Sequence, residues 1–218
     1  MPFPPKPHHG DPSSTQPSIY FGYGSNLWLH QMHTRCPNSP YQGIARLPNY
    51  HWLINTRGYA NIVESPTSTS NPITTSSDKD YTNKVYGLVY TLSPADEAAL
   101  DKNEGVPVAY TKEYLECDFW TGTTDSHIDT KTPPDAVVNM LVYIDRKRTV
   151  PDEPRKEYIY RMNRGIDDAV KMGVPEEYVE QVMRRYIPAE EKGKKVSKSI
   201  EDLAKGQAAR FTDESGVF

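Results

Sequence analysis

The chain lacks the signatures of several common protein classes. It has no basic excess: 25 Lys and Arg stand against 29 Asp and Glu, a formal net charge of −4. No positive field is therefore available to hold nucleic acid or an anionic membrane surface. Cysteine is scarce. The two present, Cys36 and Cys117, sit in unrelated contexts, which argues against a disulfide framework and suits a reducing, cytoplasmic setting. No hydrophobic run approaches the ~18–20 residues of a membrane span. The opening stretch, MPFPPKPHHGDPSSTQP, has no apolar centre of a secretory signal. These absences leave a soluble cytoplasmic protein as the expectation.

The 218 residues present suffice for one domain with a sizeable core. Residues 1–17 are proline-rich and read as a disordered leader, with a single domain over 18–210 and a flexible tail at 211–218. Strand patterns fall at 18–23, 50–56, 59–64, 84–92, 113–120 and 136–144. Two polar inserts, 65–82 and 121–135, read as long exposed hairpin loops. In the last third, Tyr158, Met162, Ile166, Ala169 and Val170 give one apolar helix face, Gly173 stops that helix, and Pro175 starts the next. The basic stretch 192–198 reads as a solvated loop before a last helix. Strands mostly first and helices mostly last predict an α+β fold, a small mixed barrel flanked by helices.

Two segments carry chemistry. Ser18–Leu27, SIYFGYGSNL, reads as a strand that breaks at glycine and opens into a helix through LWLHQMHTR. Gly22 and Gly24 permit close backbone approach to a ligand, and Ser25 or Asn26 is a natural N-cap. The first-turn N–H groups favour a carboxylate or a developing oxyanion. An ordinary structural corner is the alternative. The segment is not a dinucleotide fingerprint, a P-loop or a nucleophile elbow, because the third glycine, the Gly-Lys-Ser/Thr and the closing glycine are all missing.

The second segment places Glu104 at the end of a helix. Ser93 caps it, Pro94 takes the first position, Ala95, Ala98, Ala99 and Leu100 supply a packing face, and Gly105 ends it. A carboxylate at the negative end of a helix is electrostatically misplaced, and burial would raise its pKa further toward that of a neutral-pH acid/base. A solvated helix-end glutamate is the alternative. A backbone loop and one carboxylate can move protons and stabilise an oxyanion with no metal or nucleotide. His30, His33 and Cys36 recur every three residues, but no fourth ligand follows with zinc spacing. No metal is expected. Most of the 15 tyrosines should serve packing, although a phenol lining a small polar pocket can bind a carboxylate.

At these residues the chain resembles the γ-glutamylcyclotransferase family. The resemblance runs through Tyr23-Gly24-Ser25-Asn26-Leu27, Ala45-Arg46-Leu47, Val85-Tyr86-Gly87-Leu88-Val89-Tyr90 and Leu100-Asp101-x-x-Glu104-Gly105-Val106. It continues in Gly173-Val174-Pro175-x-x-Tyr178 and Lys198-x-x-x-Asp202, spanning roughly 18–206. Asn26 resembles the group acting on γ-glutamyl amino acids, whereas glutathione-specific and γ-glutamylamine enzymes typically carry YGSL and YGTL. The resemblance implies a small barrel, no cofactor, and conversion of a γ-glutamyl amino acid or peptide to 5-oxoproline with release of the free amine. Carried over by position, Glu104 is the catalytic acid/base. Tyr23, Gly24, Ser25 and Asn26 form the substrate loop, Tyr20, Phe21 and Gly22 lead into it, and Tyr110 and Tyr158 are pocket tyrosines. The expected partner is a small γ-glutamyl substrate, with a homodimer as an option. The alternatives are a cyclotransferase for glutathione S-conjugates, with the inserts as a pocket wall, and a non-catalytic binding module.

Overall fold

The computed structural model describes residues 16–66, 80–190 and 196–212. Most of the leader, the centre of the 65–82 insert, most of the 192–198 stretch and the end of the tail lie outside them. β1 (Ser18–Gly22) pairs antiparallel with β5 (Lys84–Leu92), with Phe21 opposite Val89. β5 pairs in turn with β2 (Tyr41–Pro48), β2 with β6 (Thr111–Thr121), and β6 with β7 (Ala136–Ile144). A parallel contact at Tyr20 and Leu141 closes the five strands into a barrel. Closure removes the unpaired edges of an open sheet. The fold is the expected α+β one, a small mixed barrel with helices around it.

β2 is absent from the strand pattern read off the sequence. Gln42, Gly43 and Arg46 break its alternation, and Gly43 and Arg46 each have a structural reason to be there. The register shifts between Tyr41 and Gly43, which has φ +149°, and a Cβ at Gly43 would stand 2.0 Å from the Trp120 carbonyl oxygen. Arg46 faces Asp118 across the β2–β6 pair and holds it at 2.7 Å. β3 (Tyr50–Ile54) and β4 (Ala60–Glu64) form a ribbon of their own outside the barrel. Trp52 Nε1 donates to the Tyr23 carbonyl, and Asn61 Nδ2 to that of Asp145, which ties the ribbon to the barrel.

The second insert is exposed over most of its length, as expected, but it is anchored to the body of the protein. The Ile128 side chain is buried, its N–H donates to the Met172 carbonyl at 2.8 Å, and Trp120 Nε1 donates to the Thr132 carbonyl. The serine- and threonine-rich composition hid one apolar anchor. The segment docks on the C-terminal end of α3 (Lys156–Met172), and Gly173 (φ +120°) lets it approach so closely that a Cβ there would meet the Ile128 oxygen at 2.0 Å.

α2 (Pro94–Glu104) begins at Ser93, whose Oγ accepts the Asp96 N–H, and ends at Gly105 in the left-handed region, φ 64°. Its expected alanine face is mostly solvated: Ala95 and Ala98 are exposed. Leu100 and Asp96 are buried instead, and the Asp96 carboxylate accepts from the Asn38 N–H and the Ser39 hydroxyl. α3 buries Tyr158, Met162, Ile166 and Ala169 as the apolar pattern predicts. Pro175 is the N-cap of α4 (Glu176–Gln181) and not its first residue. α5 (Lys198–Ala209), capped by Ser197, packs on α3 and on α1 (Leu29–Arg35). Among the described residues no helix is long and apolar enough to cross a membrane.

Candidate active site

β1 runs out at Gly22, and the chain crosses Tyr23 and Gly24 into one 3-10 turn, Ser25–Leu27, before α1. Neither Ser25 nor Asn26 caps a helix. Gly24 precedes the turn and Trp28 precedes α1, both without a side-chain cap, while the Leu29 N–H is taken by Asp168 Oδ2 at 3.0 Å. Released from capping, the Ser25 and Asn26 side chains turn inward. Ser25 Oγ accepts from Gln31 Nε2 and Arg161 Nη1, each at 3.0 Å. The Asn26 amide donates to Tyr20 Oη at 2.8 Å and to Glu104 Oε1 at 3.3 Å.

Glu104 stands where the sequence places it, in the last turn of α2 beside the left-handed Gly105. Its carboxylate faces a cavity of about 50 Å³, lined also by Tyr20, Tyr23, Gly24, Ser25 and Asn26 of the loop and by Tyr110 and Tyr158. Burial raises the Glu104 pKa above the ordinary carboxylate range. The guanidinium groups of Arg35 and Arg57, the Asn26 hydrogen bond and Arg161 pull it partly back. A carboxyl raised in this way holds a proton more readily than an exposed glutamate does.

The tyrosines divide by what their hydroxyls do. Tyr110 donates to the Ala60 carbonyl at 2.9 Å and Tyr23 to that of Tyr143 at 2.6 Å, so both build the wall. Tyr158 is used differently. Its oxygen accepts the N–H groups of Ser25 and Ala60, each at 3.2 Å. With both lone pairs occupied, the remaining hydroxyl proton must point elsewhere. Burial pushes the Tyr158 pKa up to about 12, so that proton stays in place at neutral pH. Gly24 permits the contact, since a Cβ there would stand 2.9 Å from the same oxygen. The Ser25 N–H, expected to face a substrate, is engaged by Tyr158.

Phe21 and Gly22 do not reach the cavity. Phe21 is fully buried in the core, and Gly22 pairs with Leu88 in the sheet. Several residues not picked out from the sequence do line it: Arg35, Tyr59, Asn103, Tyr143, Arg161 and Phe211. Arg161 is clamped by Glu157 at 2.7 and 3.0 Å, one helical turn away. Its signal was available, because a charged residue on the apolar face of Tyr158, Met162 and Ile166 requires a buried partner. Arg35 donates to the carbonyls of Gln207 and Ala208 at the end of α5 and to Asn26 Oδ1. Nothing in the local sequence of α1 announces a contact with residues so far along the chain. His30 and His33 are exposed while Cys36 is buried, so the three do not converge. Among the described residues no group of three His, Cys, Asp or Glu could hold a metal ion.

The fold and site define a class: a small closed barrel whose first strand-to-helix loop and one helix-end glutamate share a tyrosine-walled cavity. Residues 20–161 match the family described as gamma-glutamyl cyclotransferase, AIG2-like, and the chain belongs to that family. It is 25% identical over 202 residues to a gamma-glutamylcyclotransferase of Bos taurus, covering 88% of this chain and 90% of the relative. A gamma-glutamylcyclotransferase of Mus musculus is 24% identical over 197 residues, covering 86% and 87%. Among solved structures, one described as gamma-glutamyl cyclotransferase superposes with TM-score 0.57 at 22% identity, over 88% of this chain and 99% of that one. An uncharacterized protein from Homo sapiens gives TM-score 0.58 at 23% identity, over 87% and 99%.

Proposed function

We propose that the protein is a γ-glutamylcyclotransferase and that Glu104 is its acid/base. The observation that carries this reading is the placement of Glu104: a lone carboxylate of raised pKa, hydrogen-bonded to the YGSN loop, inside a tyrosine-walled cavity. The named relatives fit the same reading. Glu104 takes a proton from the substrate's α-ammonium group. The freed amine attacks the δ-carbonyl carbon, the carbonyl π electrons move to oxygen, and a five-membered ring closes. Collapse of this intermediate breaks the bond to the leaving nitrogen, which takes the proton from Glu104. Glu104, deprotonated again by that transfer, takes the second proton of the ring nitrogen and passes it to the departing amine, so the ring nitrogen loses two protons and the amine gains two. The products are 5-oxoproline and the free amine or amino acid.

The attack is intramolecular, so the protein has only to fold the substrate and move protons. General acid/base catalysis contributes about 10²–10⁴-fold. The Tyr158 hydroxyl, its oxygen pinned by two N–H groups, is the donor best placed to meet a developing oxyanion. Asn26 of the YGSN loop supports a γ-glutamyl amino acid as the substrate. The 121–135 insert does not favour a dedicated conjugate enzyme. It docks at Met172 and Gly173, fourteen positions along α3 from Tyr158, or about 21 Å at 1.5 Å per residue.

Incubation with γ-Glu-Ala, γ-Glu-Cys, glutathione and an S-alkyl glutathione, with 5-oxoproline measured, tests the reading. Release from γ-Glu-Ala is expected. Release from the S-alkyl conjugate alone would make the enzyme a conjugate cyclotransferase, and no release from any would leave a binding module.

A further inference from the structure

Two buried arginines dictate how a neighbouring pair of amides must face. Arginine can only donate. Arg161 Nη1 donates to Gln31 Oε1 at 3.4 Å, so the other end of that amide, Nε2, is left to donate to Asn26 Oδ1 at 2.7 Å. Arg35 Nη1 donates to the same Asn26 Oδ1 at 3.2 Å. The Asn26 oxygen is therefore held on the arginine side, and its NH₂ group is compelled toward Tyr20 Oη and Glu104 Oε1. All four hydrogen-bonding positions of the Asn26 amide are filled. Gln31 is fully buried and touches neither the cavity nor Glu104.

We infer that Gln31 is a positioning residue: oriented by Arg161, it fixes the polarity of the Asn26 amide so that a donor, and not an acceptor, faces Glu104. This rests on Glu104 being the acid/base. A reversed Asn26 would set its oxygen against the carboxylate and lose the contact that favours the ionised form. The chain of fixed polarity runs from Glu157 through Arg161 and Gln31 to Asn26 and ends on the carboxylate. In the sequence Gln31 is one polar residue within LWLHQMHTR. Its role follows from being wedged between an obligate donor and an amide that Arg35 alone would hold less firmly.

The test reads Glu104 directly, so that it does not depend on turnover. The carboxyl ¹³C resonance of Glu104, assigned with Glu104→Gln, is titrated in the wild type, Gln31→Met, Asn26→Leu and the double variant. Methionine keeps the volume of Gln31 and removes its polarity. Gln31→Met should raise the Glu104 midpoint by about half a pH unit, because Arg35 alone holds the amide less firmly. Asn26→Leu should raise it by about one unit. In the Asn26→Leu background, Gln31→Met should add nothing, since its effect passes through Asn26. Shifts that simply add, or no shift in Gln31→Met, would overturn the inference. Retention of activity by Glu104→Gln would instead overturn the functional reading on which it rests, so the two failures are distinguishable. Folding is checked by near-UV circular dichroism. If Gln31→Met unfolds, Gln31→Glu, an acceptor of similar shape, should raise the midpoint further in the Asn26 background than in Asn26→Leu.

Discussion

Asn26 Nδ2 lies 3.3 Å from Glu104 Oε1, a hydrogen bond between residues 78 positions apart in the chain. It joins the loop after the first strand to the last turn of α2, so neither segment alone makes the site. Glu104→Gln keeps the shape and can still meet Asn26, but it cannot take a proton. The variant should fold as the wild type does and lose at least ~10²–10³-fold in kcat. Turnover within about tenfold of wild type would remove Glu104 from the mechanism.

The same substitution should change stability in a way that depends on pH. Burial raises the Glu104 pKa in the folded state above its unfolded value. Between the two values the folded protein binds more protons than the unfolded one, so this group's contribution falls as pH rises. Glu104→Gln removes that loss. Its Tm should exceed that of wild type at pH 8, by about 2–4 °C for each kcal/mol recovered, and the gap should narrow as pH falls below the ordinary carboxylate range. A gap independent of pH would show that the carboxylate is not held at a cost.

Tyr158→Phe removes one oxygen that serves three purposes. The Ser25 and Ala60 N–H groups lose their acceptor, and the cavity loses a donor. We expect a loss of about 1–3 kcal/mol in urea unfolding from the unsatisfied N–H groups. At temperatures where the variant remains folded, kcat should fall by about 10–100-fold. Stability lost with kcat intact would confine Tyr158 to holding the loop.

Gly173→Ala tests the docking of the 121–135 insert. The backbone at Gly173 has φ +120°, and a Cβ would meet the Ile128 oxygen at 2.0 Å. A loss of at least ~2–3 kcal/mol is expected, with KM for a γ-glutamyl amino acid unchanged because the contact is remote from the cavity. A neutral Tm would mean that the insert does not sit on the end of α3.

Metal chelation should leave turnover intact, since His30 and His33 face solvent while Cys36 is buried. Loss on EDTA treatment with recovery on adding zinc would overturn this.

What could be read in the sequence followed how local each cause is. The α2 boundaries were legible because Ser93, Pro94 and Gly105 each act on adjacent backbone. Glu104 could be singled out because its misplacement on the helix dipole is local, but the same local signal fitted a solvated helix-end glutamate. β2 was missed because Arg46 needs Asp118 on another strand before it makes sense there. The caps assigned to Ser25 and Asn26 were locally sound and were displaced by Gln31, Arg35 and Arg161, which come together only in three dimensions. Phe21 and Gly22 continued a motif by proximity, but strand alternation turned Phe21 into the core. The 121–135 insert was judged by composition, and one isoleucine outweighed it.

The family match ends at residue 161, yet Phe211 lines the cavity, and Arg35 is held by carbonyls at 207 and 208. During synthesis, then, Glu104 and the loop emerge long before the wall that encloses them. Without residues 207–211 the site would lack Phe211 and the two carbonyls that hold Arg35. Closing the cavity is therefore a long-range event that waits on the docking of α5.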